Sequence, residues 1–142
     1  MDLNTFNLYL FGGTGDLSNR KLIPAMFRQE TLGNIDKESQ IIGLGSREIS
    51  KEEYTQMVKN SLEKYFPSFK DNEEAWTRFG QRLNYIKLDI SSSEDWKNIK
   101  NIPKDRPVVY YLATPPNLYK QISTSLKENN LIEDNCRVVV EK

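Results

Sequence analysis

The sequence contains no histidine and only one cysteine, Cys136, among its 142 residues. One cysteine cannot form an internal disulfide, and without histidine or further cysteines the chain lacks the usual ligands of a zinc site. No apolar run approaches the ~20 residues that a membrane-spanning helix needs, and the N-terminus lacks the basic start of a secretory signal. We therefore predict no metal site, no membrane association and a cytoplasmic location.

An excess of charge of one sign is also missing, because 20 lysines and arginines balance 20 aspartates and glutamates. A chain without an overall positive field has no general attraction for nucleic acid or anionic lipid. Hydrophobic residues make up 37% of the chain and aromatic residues 11%, which is typical of a folded domain rather than a disordered tail. We expect one continuous domain over residues 1–142, since no repeat or flexible linker divides the chain.

What the sequence does contain is an alternation of short apolar runs with amphipathic segments. Strands are predicted at residues 6–11, 40–48, 83–90, 107–113 and 136–141. The last two runs are continuous and rich in β-branched residues, as in strands covered on both faces. Helices are predicted over residues 17–30 and 72–79, around Leu118, Ile122 and Leu126, and along the stripe of Tyr54, Met57, Val58, Ser61, Leu62 and Tyr65. Strands that alternate with helices predict a parallel α/β sheet with right-handed crossovers.

Pro24 lies inside the first predicted helix. Because proline has no amide hydrogen and crowds the carbonyl four residues back, that of Arg20, we expect it to bend this helix or to end its first segment.

Three glycines, Gly12, Gly13 and Gly15, fall within four positions where the first strand meets the first helix. In a dinucleotide-binding corner, Gly12 permits a tight turn and Gly15 lets the main chain approach a phosphate that a Cβ would exclude. Ser18 stands where a third small residue packs the helix against the strand. Backbone N–H groups of residues 15–17 then point at the pyrophosphate from the positive end of the helix dipole. The alternative is a tight turn without a ligand.

Asp16 needs a separate explanation, since a carboxylate beside a pyrophosphate would repel it. We expect Asp16 to cap the helix by accepting hydrogen bonds from amides of the first turn.

The end of the second strand bears on which dinucleotide binds. NAD sites place an acidic residue there for the ribose hydroxyls, whereas this chain has Ser46 and Arg47. A planar guanidinium suits the additional phosphate of NADP, with the hydroxyls of Thr14 and Ser46 as further contacts. The alternative is a surface arginine paired with Glu48 or another acid.

Four segments of the chain together resemble the glucose-6-phosphate dehydrogenase family: FGGTGDLSNRKLIP, GSRE, YYLATPPNLY and the terminal VVVEK. They occur in the family's order and spacing and span almost the whole chain. The resemblance implies a Rossmann-like doubly wound parallel sheet, truncated before its last helix and strand. It also implies part of an oxidoreductase that transfers hydride from C1 of glucose 6-phosphate to NADP, which gives 6-phosphogluconolactone and opens the pentose phosphate pathway.

The resemblance further implies roles for individual residues. Arg47 would bind the 2′-phosphate, Tyr119 would lie near the nicotinamide, and Lys21 and Lys142 would lie where coenzyme and sugar phosphate meet. In the alternative, Tyr119 and the two prolines before it serve packing alone, and Lys142 is an ordinary charged chain end. The expected cofactor-binding residues are Gly12, Gly13, Thr14, Gly15, Asp16, Leu17, Ser18, Asn19, Ser46, Arg47, Tyr119 and Lys142, and the expected substrate-binding residues are Lys21 and Lys142.

The family also has a large, mainly β domain, which carries much of the sugar-phosphate site, the histidine that takes the hydroxyl proton, and most of the contacts that build the homo-oligomer. This chain has no histidine, so it cannot supply that general base and we expect no catalytic residue in it. Two alternative functions belong to other classes of protein. A short-chain dehydrogenase is disfavoured because no tyrosine is followed by lysine four residues later, and a non-catalytic domain that senses redox state by binding NADP stays open.

Overall fold

Five parallel strands form one sheet with helices on both faces in the computed structural model, which describes residues 5–140. The strands are β1 (Asn7–Phe11), β2 (Gln40–Gly45), β3 (Leu83–Lys87), β4 (Val108–Leu112) and β5 (Cys136–Val140). The α-helices are α1 (Ile23–Thr31), α2 (Lys51–Tyr65), α3 (Glu73–Arg82), α4 (Ser93–Trp96) and α5 (Tyr119–Glu128). A π-helical turn (Ser18–Leu22) precedes α1, and short 3₁₀ turns lie at Phe69–Asp71 and Pro116–Leu118.

The order of the strands across the sheet is β3-β2-β1-β4-β5. The chain therefore builds outward from β1 to β3, crosses back, and adds β4 and β5 on the other side of β1. Leu10 on β1 lies beside Gly43 on one side and Tyr111 on the other. This is the doubly wound, Rossmann-like arrangement, so the predicted fold class is confirmed. Its topological switch point, where such sheets bind ligands, lies at the carboxyl ends of β1 and β4.

Two hydrophobic cores flank the sheet. One lies under α1, α2 and α3, and the other lies under α4 and α5. The predicted stripe on α2 is confirmed, since Tyr54, Val58 and Leu62 are fully buried in the first core. Helix α2 begins with a capping box, in which Ser50 and Glu53 each accept a hydrogen bond from the other's backbone N–H. The local sequence and the packing therefore favour the same helix.

Pro24 occupies the first turn of α1, directly after the π-helical turn. The Ile23 N–H donates to the Ser18 carbonyl, five residues back, so the helix is widened just before the proline. Because Pro24 has no N–H to donate to the preceding helical turn, it is accommodated directly after this widened turn. The helical conformation continues through Leu22, Ile23 and Pro24, so the proline marks a change from π- to α-helical hydrogen bonding and does not end the helix, as we had expected it could.

The glycines of β2 make room for two tyrosine rings on the α1–α3 side of the sheet. A Cβ built on Gly43 would lie 2.4 Å from Tyr54 Cζ, and one built on Gly45 would lie 3.0 Å from Tyr85 Oη. The two rings contact each other, with centroids 5.2 Å apart. These glycines lie within the strand, where they permit close packing by α2 and β3.

A buried ion pair joins three elements at the amino end of β2. Arg82 at the end of α3 donates from Nε to Glu30 Oε1 of α1 at 2.7 Å, and only 2% and 1% of the two side chains are exposed. The Arg82 guanidinium also donates to the carbonyls of Asp36 and Ser39, just before β2. Glu30 and Arg82 thereby connect α1, α3 and the entry to β2.

β5 is the exposed edge strand of the sheet. Its sequence is typical of a strand covered on both faces, yet Val138, Val139 and Val140 are 42%, 37% and 42% exposed. β5 pairs only with β4 among the described strands and lies at the edge of the sheet. An apolar groove of about 460 Å³ lies beside α1 on the adjoining part of the sheet, against Val109 and Tyr111. A sequence suited to burial on an exposed apolar edge is what we expect of a doubly wound sheet that is truncated before its last helix and strand.

None of the helices within residues 5–140 combines the length and apolar character needed to cross a bilayer.

Candidate functional site

The glycine turn after β1 is required by close approaches on both sides. Gly12 has φ +80°, and a Cβ there would lie 2.6 Å from the Ala113 carbonyl oxygen. A Cβ on Gly13 would lie 2.9 Å from Gly43 Cα, and the N–H groups of Gly12 and Gly13 both donate to the Leu44 carbonyl at 3.0 Å. The turn is thus inserted between β2 and β4, where only glycine fits. Gly13 is buried, and its lack of a side chain permits this close packing.

Gly15 differs from the other two glycines because its surroundings are open. A Cβ there would have one near neighbour, the Gly12 carbonyl oxygen at 3.2 Å. The side-chain direction of Gly15 is therefore available to a ligand. This is the environment expected of a glycine that allows a phosphate to approach the main chain.

Two polar side chains brace the turn against the helices. The Ser18 hydroxyl is fully buried and donates to the Gly12 carbonyl at 2.8 Å. Asn19 Nδ2 donates to the Gly15 carbonyl at 2.8 Å, and its Oδ1 accepts a hydrogen bond from Ser61 of α2 at 3.0 Å. Ser18 and Asn19 therefore fix the shape of the turn from behind.

The expectation that Asp16 caps the helix is wrong. The Asn19 N–H donates to the Gly15 carbonyl at 3.1 Å, so the N-cap position falls on Gly15 and Asp16 is already helical. Asp16 lies one residue after the N-cap position and so does not cap the helix. Its carboxylate instead pairs with Arg20 at 3.0 Å and is 75% exposed. Its charge is directed along the helix surface.

A cleft of about 380 Å³ opens at the carboxyl ends of β1, β2, β3 and β4. Gly12, Thr14, Gly15 and Ser46 line it. A second, larger cavity of about 740 Å³ adjoins it through Thr14 and Gly15, and there Asp16, Asn19 and Arg47 line the wall together with residues of α2. The fold thus brings together the glycine turn and the loop after β2, as their positions at strand ends predict.

Arg47 is exposed at the mouth of the second cavity, and its backbone is anchored to β3. Tyr85 Oη donates to the Arg47 carbonyl at 2.7 Å. Within residues 5–140, none of the ion pairs involves Arg47. The alternative in which Arg47 pairs with Glu48 is therefore not what the structure shows, and the guanidinium is left accessible to an anion.

Several lining residues were missed in the sequence. Asp89, Ile90 and Ser91 lie in the loop after β3, and Thr114 and Gln121 lie in and after the loop that follows β4. Ser91 and Thr114 directly follow the predicted strands 83–90 and 107–113, and this position was a usable signal, because parallel strands gather their carboxyl ends at one edge. The hydrogen bond from the Asp89 N–H holds the pKa of the Asp95 carboxyl below its usual range, and Lys87 Nζ at 3.3 Å from Asp95 acts in the same direction.

Other residues predicted for the site lie outside the two cavities. Leu17 is half-buried in the first helical turn, and Lys21 is exposed on the π-helical turn. Tyr119 begins α5 and packs against the second core, although its neighbours Leu118 and Gln121 do line the cleft. Lys142 lies outside the described residues.

The cleft has the features that a dinucleotide requires. The open side of Gly15 lines it at the start of a helix, where the N–H groups of the first turn favour an anion. The expectation that the Gly15 N–H faces the pyrophosphate is wrong, because that group donates to the Gly12 carbonyl at 2.9 Å. The Thr114 hydroxyl in its wall is buried and has no hydrogen-bond partner within residues 5–140. A buried hydroxyl without a partner costs about 1–3 kcal/mol, so a ligand with a polar group at this point would relieve that cost. These residues therefore fit a dinucleotide.

Comparison with known proteins gives the same assignment. The family model described as "Glucose-6-phosphate dehydrogenase, NAD binding domain" matches residues 9–142. Glucose-6-phosphate 1-dehydrogenase of Rhizobium meliloti is 35% identical over 140 residues, which cover 96% of this chain and 28% of that protein. The corresponding enzyme of Gluconobacter oxydans is 37% identical over 142 residues, 96% of this chain and 29% of that protein. This chain thus spans less than a third of the length of these relatives.

Solved structures agree with the sequence matches. The crystal structure of glucose-6-phosphate 1-dehydrogenase from Mycobacterium avium superposes with a TM-score of 0.88 at 26% identity, over 98% of this chain and 30% of that one. A glucose-6-phosphate dehydrogenase in complex with its substrate glucose 6-phosphate gives a TM-score of 0.80 at 26% identity, over 99% of this chain and 30% of that one. With its glycine turn, sheet order and near-complete family match, this chain belongs to the glucose-6-phosphate dehydrogenase family and corresponds to that family's domain for a nicotinamide dinucleotide.

Proposed function

We propose that this chain is the coenzyme-binding part of an oxidoreductase that transfers hydride from C1 of glucose 6-phosphate to NADP, giving 6-phosphogluconolactone. The observation that carries the proposal is the family match over residues 9–142. The matched residues include the open glycine turn at the switch point of the sheet, where this class of fold binds its ligand. One relative is described as binding glucose 6-phosphate as its substrate, and we extend that substrate to the full-length form of this protein.

In this proposal the coenzyme lies along the cleft. Thr14 and the N–H groups of residues 16 and 17 face its pyrophosphate, while Ser46 and Arg47 face the adenosine ribose and its 2′-phosphate. When bound, the coenzyme accepts the hydride. The chain's own residues bind and orient it, and Ser18 and Asn19 keep the turn in shape through their hydrogen bonds to Gly12 and Gly15. Lys21, Tyr119 and Lys142 keep the roles that the family resemblance implies for them.

The choice of NADP over NAD depends on Arg47. A charge-assisted contact to the 2′-phosphate is worth ~1.5–3 kcal/mol, or roughly tenfold to a hundredfold in affinity. Calorimetry on Arg47→Ala is therefore expected to show weaker NADP binding by this factor and little change in NAD binding. Arg137→Ala is a matched control, since Arg137 is exposed on β5 and its side chain bonds to the nearby carbonyls of Asp134 and Cys136. An NADP:NAD affinity ratio equal to that of the unmodified chain would contradict the role of Arg47.

Binding should occur without turnover in this chain. Hydride transfer needs the sugar held against the nicotinamide and a base near its C1 hydroxyl, and a general base alone contributes ~100-fold to 10,000-fold. No histidine is present in the 142 residues. With NADP and glucose 6-phosphate both saturating, we expect no rise in absorbance from reduced coenzyme, whereas the full-length protein should give one. Sustained turnover by residues 1–142 would contradict this division of roles, and an inactive full-length protein would favour a redox-sensing domain.

The remaining partners follow from the same proposal. We expect the full-length protein to form a homo-oligomer through the part of the family's chain that lies beyond this domain. We expect it to act in the cytoplasm, where the reducing environment suits a chain with one cysteine, Cys136, and that thiol free.

A further inference from the structure

Tyr85 connects the third strand to the loop that carries Arg47. The side chain of Tyr85 leaves β3 on the α1–α3 side of the sheet and reaches across β2. Its hydroxyl donates to the Arg47 carbonyl at 2.7 Å, which is a short and well-formed hydrogen bond. The anchor lies on the backbone of Arg47, so the guanidinium remains available for a ligand.

Gly45 makes this crossing possible. A Cβ on Gly45 would lie 3.0 Å from Tyr85 Oη and 3.2 Å from Thr14 Oγ1. A side chain at Gly45 would therefore push away both the tyrosine hydroxyl and the threonine of the glycine turn. With glycine there, Tyr85 Oη lies between the glycine turn and the Arg47 loop, next to both proposed contacts of the coenzyme.

The ring of Tyr85 is held by the core. It packs on Tyr54 with ring centroids 5.2 Å apart, and Tyr54 is itself fully buried against Gly43. Burial raises the pKa of Tyr85 above its usual value, while the nearby charge of Arg47 acts in the opposite direction. The hydroxyl therefore keeps its proton at neutral pH and donates from a ring that the core holds in place. The side chains of residues 46–48, by contrast, are exposed and are not held by the core.

We propose that Tyr85 is a positioning residue for coenzyme selection, because its hydroxyl holds the Arg47 backbone where the guanidinium meets the 2′-phosphate of NADP. This inference rests on the proposed function and deepens it. Without the anchor, the loop samples more conformations, and binding the phosphate must then order both the backbone and the side chain of Arg47. NAD lacks that phosphate, so its binding does not depend on the anchor.

The test is Tyr85→Phe, which removes the hydroxyl and keeps the ring on Tyr54. Calorimetry with NADP and with NAD should show NADP affinity lower by roughly threefold to tenfold and NAD affinity unchanged, so the NADP:NAD ratio falls. The same substitution in an Arg47→Ala background should have no effect on either affinity, since the anchor acts through that guanidinium. A melting curve of each variant shows that the fold is retained.

Tyr110→Phe provides the matched control. Tyr110 Oη donates to the Leu131 carbonyl at the same 2.7 Å, on the other side of the sheet and away from the Arg47 loop. Its loss should lower stability and leave the NADP:NAD ratio unchanged, which separates a positioning role from a general loss of structure.

Three results would overturn the inference. An unchanged ratio in Tyr85→Phe, alongside a lowered ratio in Arg47→Ala, would reject the role of Tyr85 and leave the proposed function intact. Equal losses for NADP and NAD in Tyr85→Phe would show a structural role only. An unchanged ratio in Arg47→Ala itself would reject both the proposed role of Arg47 and the inference that depends on it.

Discussion

Replacing Gly43 with alanine is expected to destabilise this protein, although it adds only one carbon atom. Gly43 lies in the middle of β2, and the new Cβ would lie 2.4 Å from Tyr54 Cζ and 2.6 Å from its Oη. Carbon atoms in contact are normally about 3.5–4.0 Å apart, so the ring must move by roughly 1 Å. Tyr54 is fully buried and packs on Tyr85, so it has no open space to enter.

The size of the effect follows from this geometry. Forcing an additional carbon into a well-packed core costs about 1–3 kcal/mol. The Tyr54 hydroxyl has no hydrogen-bond partner within residues 5–140, so no such bond would be lost when the ring moves. We therefore expect Gly43→Ala to lower the free energy of unfolding by ~1–3 kcal/mol, with the melting temperature falling by about 4 °C for each kcal/mol.

Urea unfolding, followed by circular dichroism, measures this loss. Gly80→Ala is the matched control, because Gly80 lies in α3 and its Cβ would meet the Trp76 ring at an ordinary 3.6 Å. In a helix the same glycine-to-alanine change should stabilise by ~0.5–1 kcal/mol. The two substitutions are thus expected to act in opposite directions.

A double-mutant cycle tests the cause. If the clash with the ring is responsible, Gly43→Ala should cost little in a Tyr54→Leu background, which lacks the end of the ring, and the coupling energy should be ~1–3 kcal/mol. A Gly43→Ala chain as stable as the parent would refute the argument. So would an undiminished loss in the Tyr54→Leu background.

Further predictions concern the ion pair, the acid response and the sheet edge. Glu30→Gln leaves the Arg82 guanidinium buried without its counter-charge and should cost ~3–5 kcal/mol in urea unfolding, whereas Glu94→Gln, in an exposed pair, should stay within about 1 kcal/mol. Because the folded pKa of Asp95 is lowered, its contribution to stability is present above the unfolded pKa of about 4 and is lost as pH falls through the folded value. Asp95→Asn should therefore lower the melting temperature at pH 7, and the difference from the parent should vanish in strong acid; a constant difference would contradict this. The exposed valines of residues 138–140 should make the chain self-associate, so light scattering should rise with concentration and fall on introducing lysine there, and a clean monomer at high concentration would count against it.

The local pattern of the chain was sufficient to predict most elements of secondary structure. The stripe on α2 repeats with the helical period and follows a Ser50–Glu53 capping box, so sequence and packing agree there. Pro24 marked the change from π- to α-helical hydrogen bonding, because a missing amide hydrogen acts within one helical turn. Both signals depend on residues close together in the chain, which is why they could be interpreted without the fold.

At the candidate site, the glycine turn and the Arg47 loop could be predicted because both directly follow strands, and parallel strands bring their carboxyl ends to one edge. Asp16 was placed wrongly because capping depends on which carbonyl accepts the first helical hydrogen bond, and that proved to be Gly15. Thr114 was missed because its place in the cleft depends on β4 lying beside β1, which its own neighbours in sequence do not reveal.

The sequence by itself determined the α/β class, the position of the glycine turn and the family, since periodicity and motif spacing are properties of the linear chain. Only the tertiary structure decided what each small residue is for. Gly13 allows the turn after β1 to approach β2, Gly43 accommodates the Tyr54 ring, and Gly45 lets the Tyr85 hydroxyl reach the Arg47 loop. β5 likewise carries a sequence suited to burial and lies at an exposed edge. The physical reason is that close approach and burial are set by which elements become neighbours in space, and residues far apart in the chain supply those neighbours.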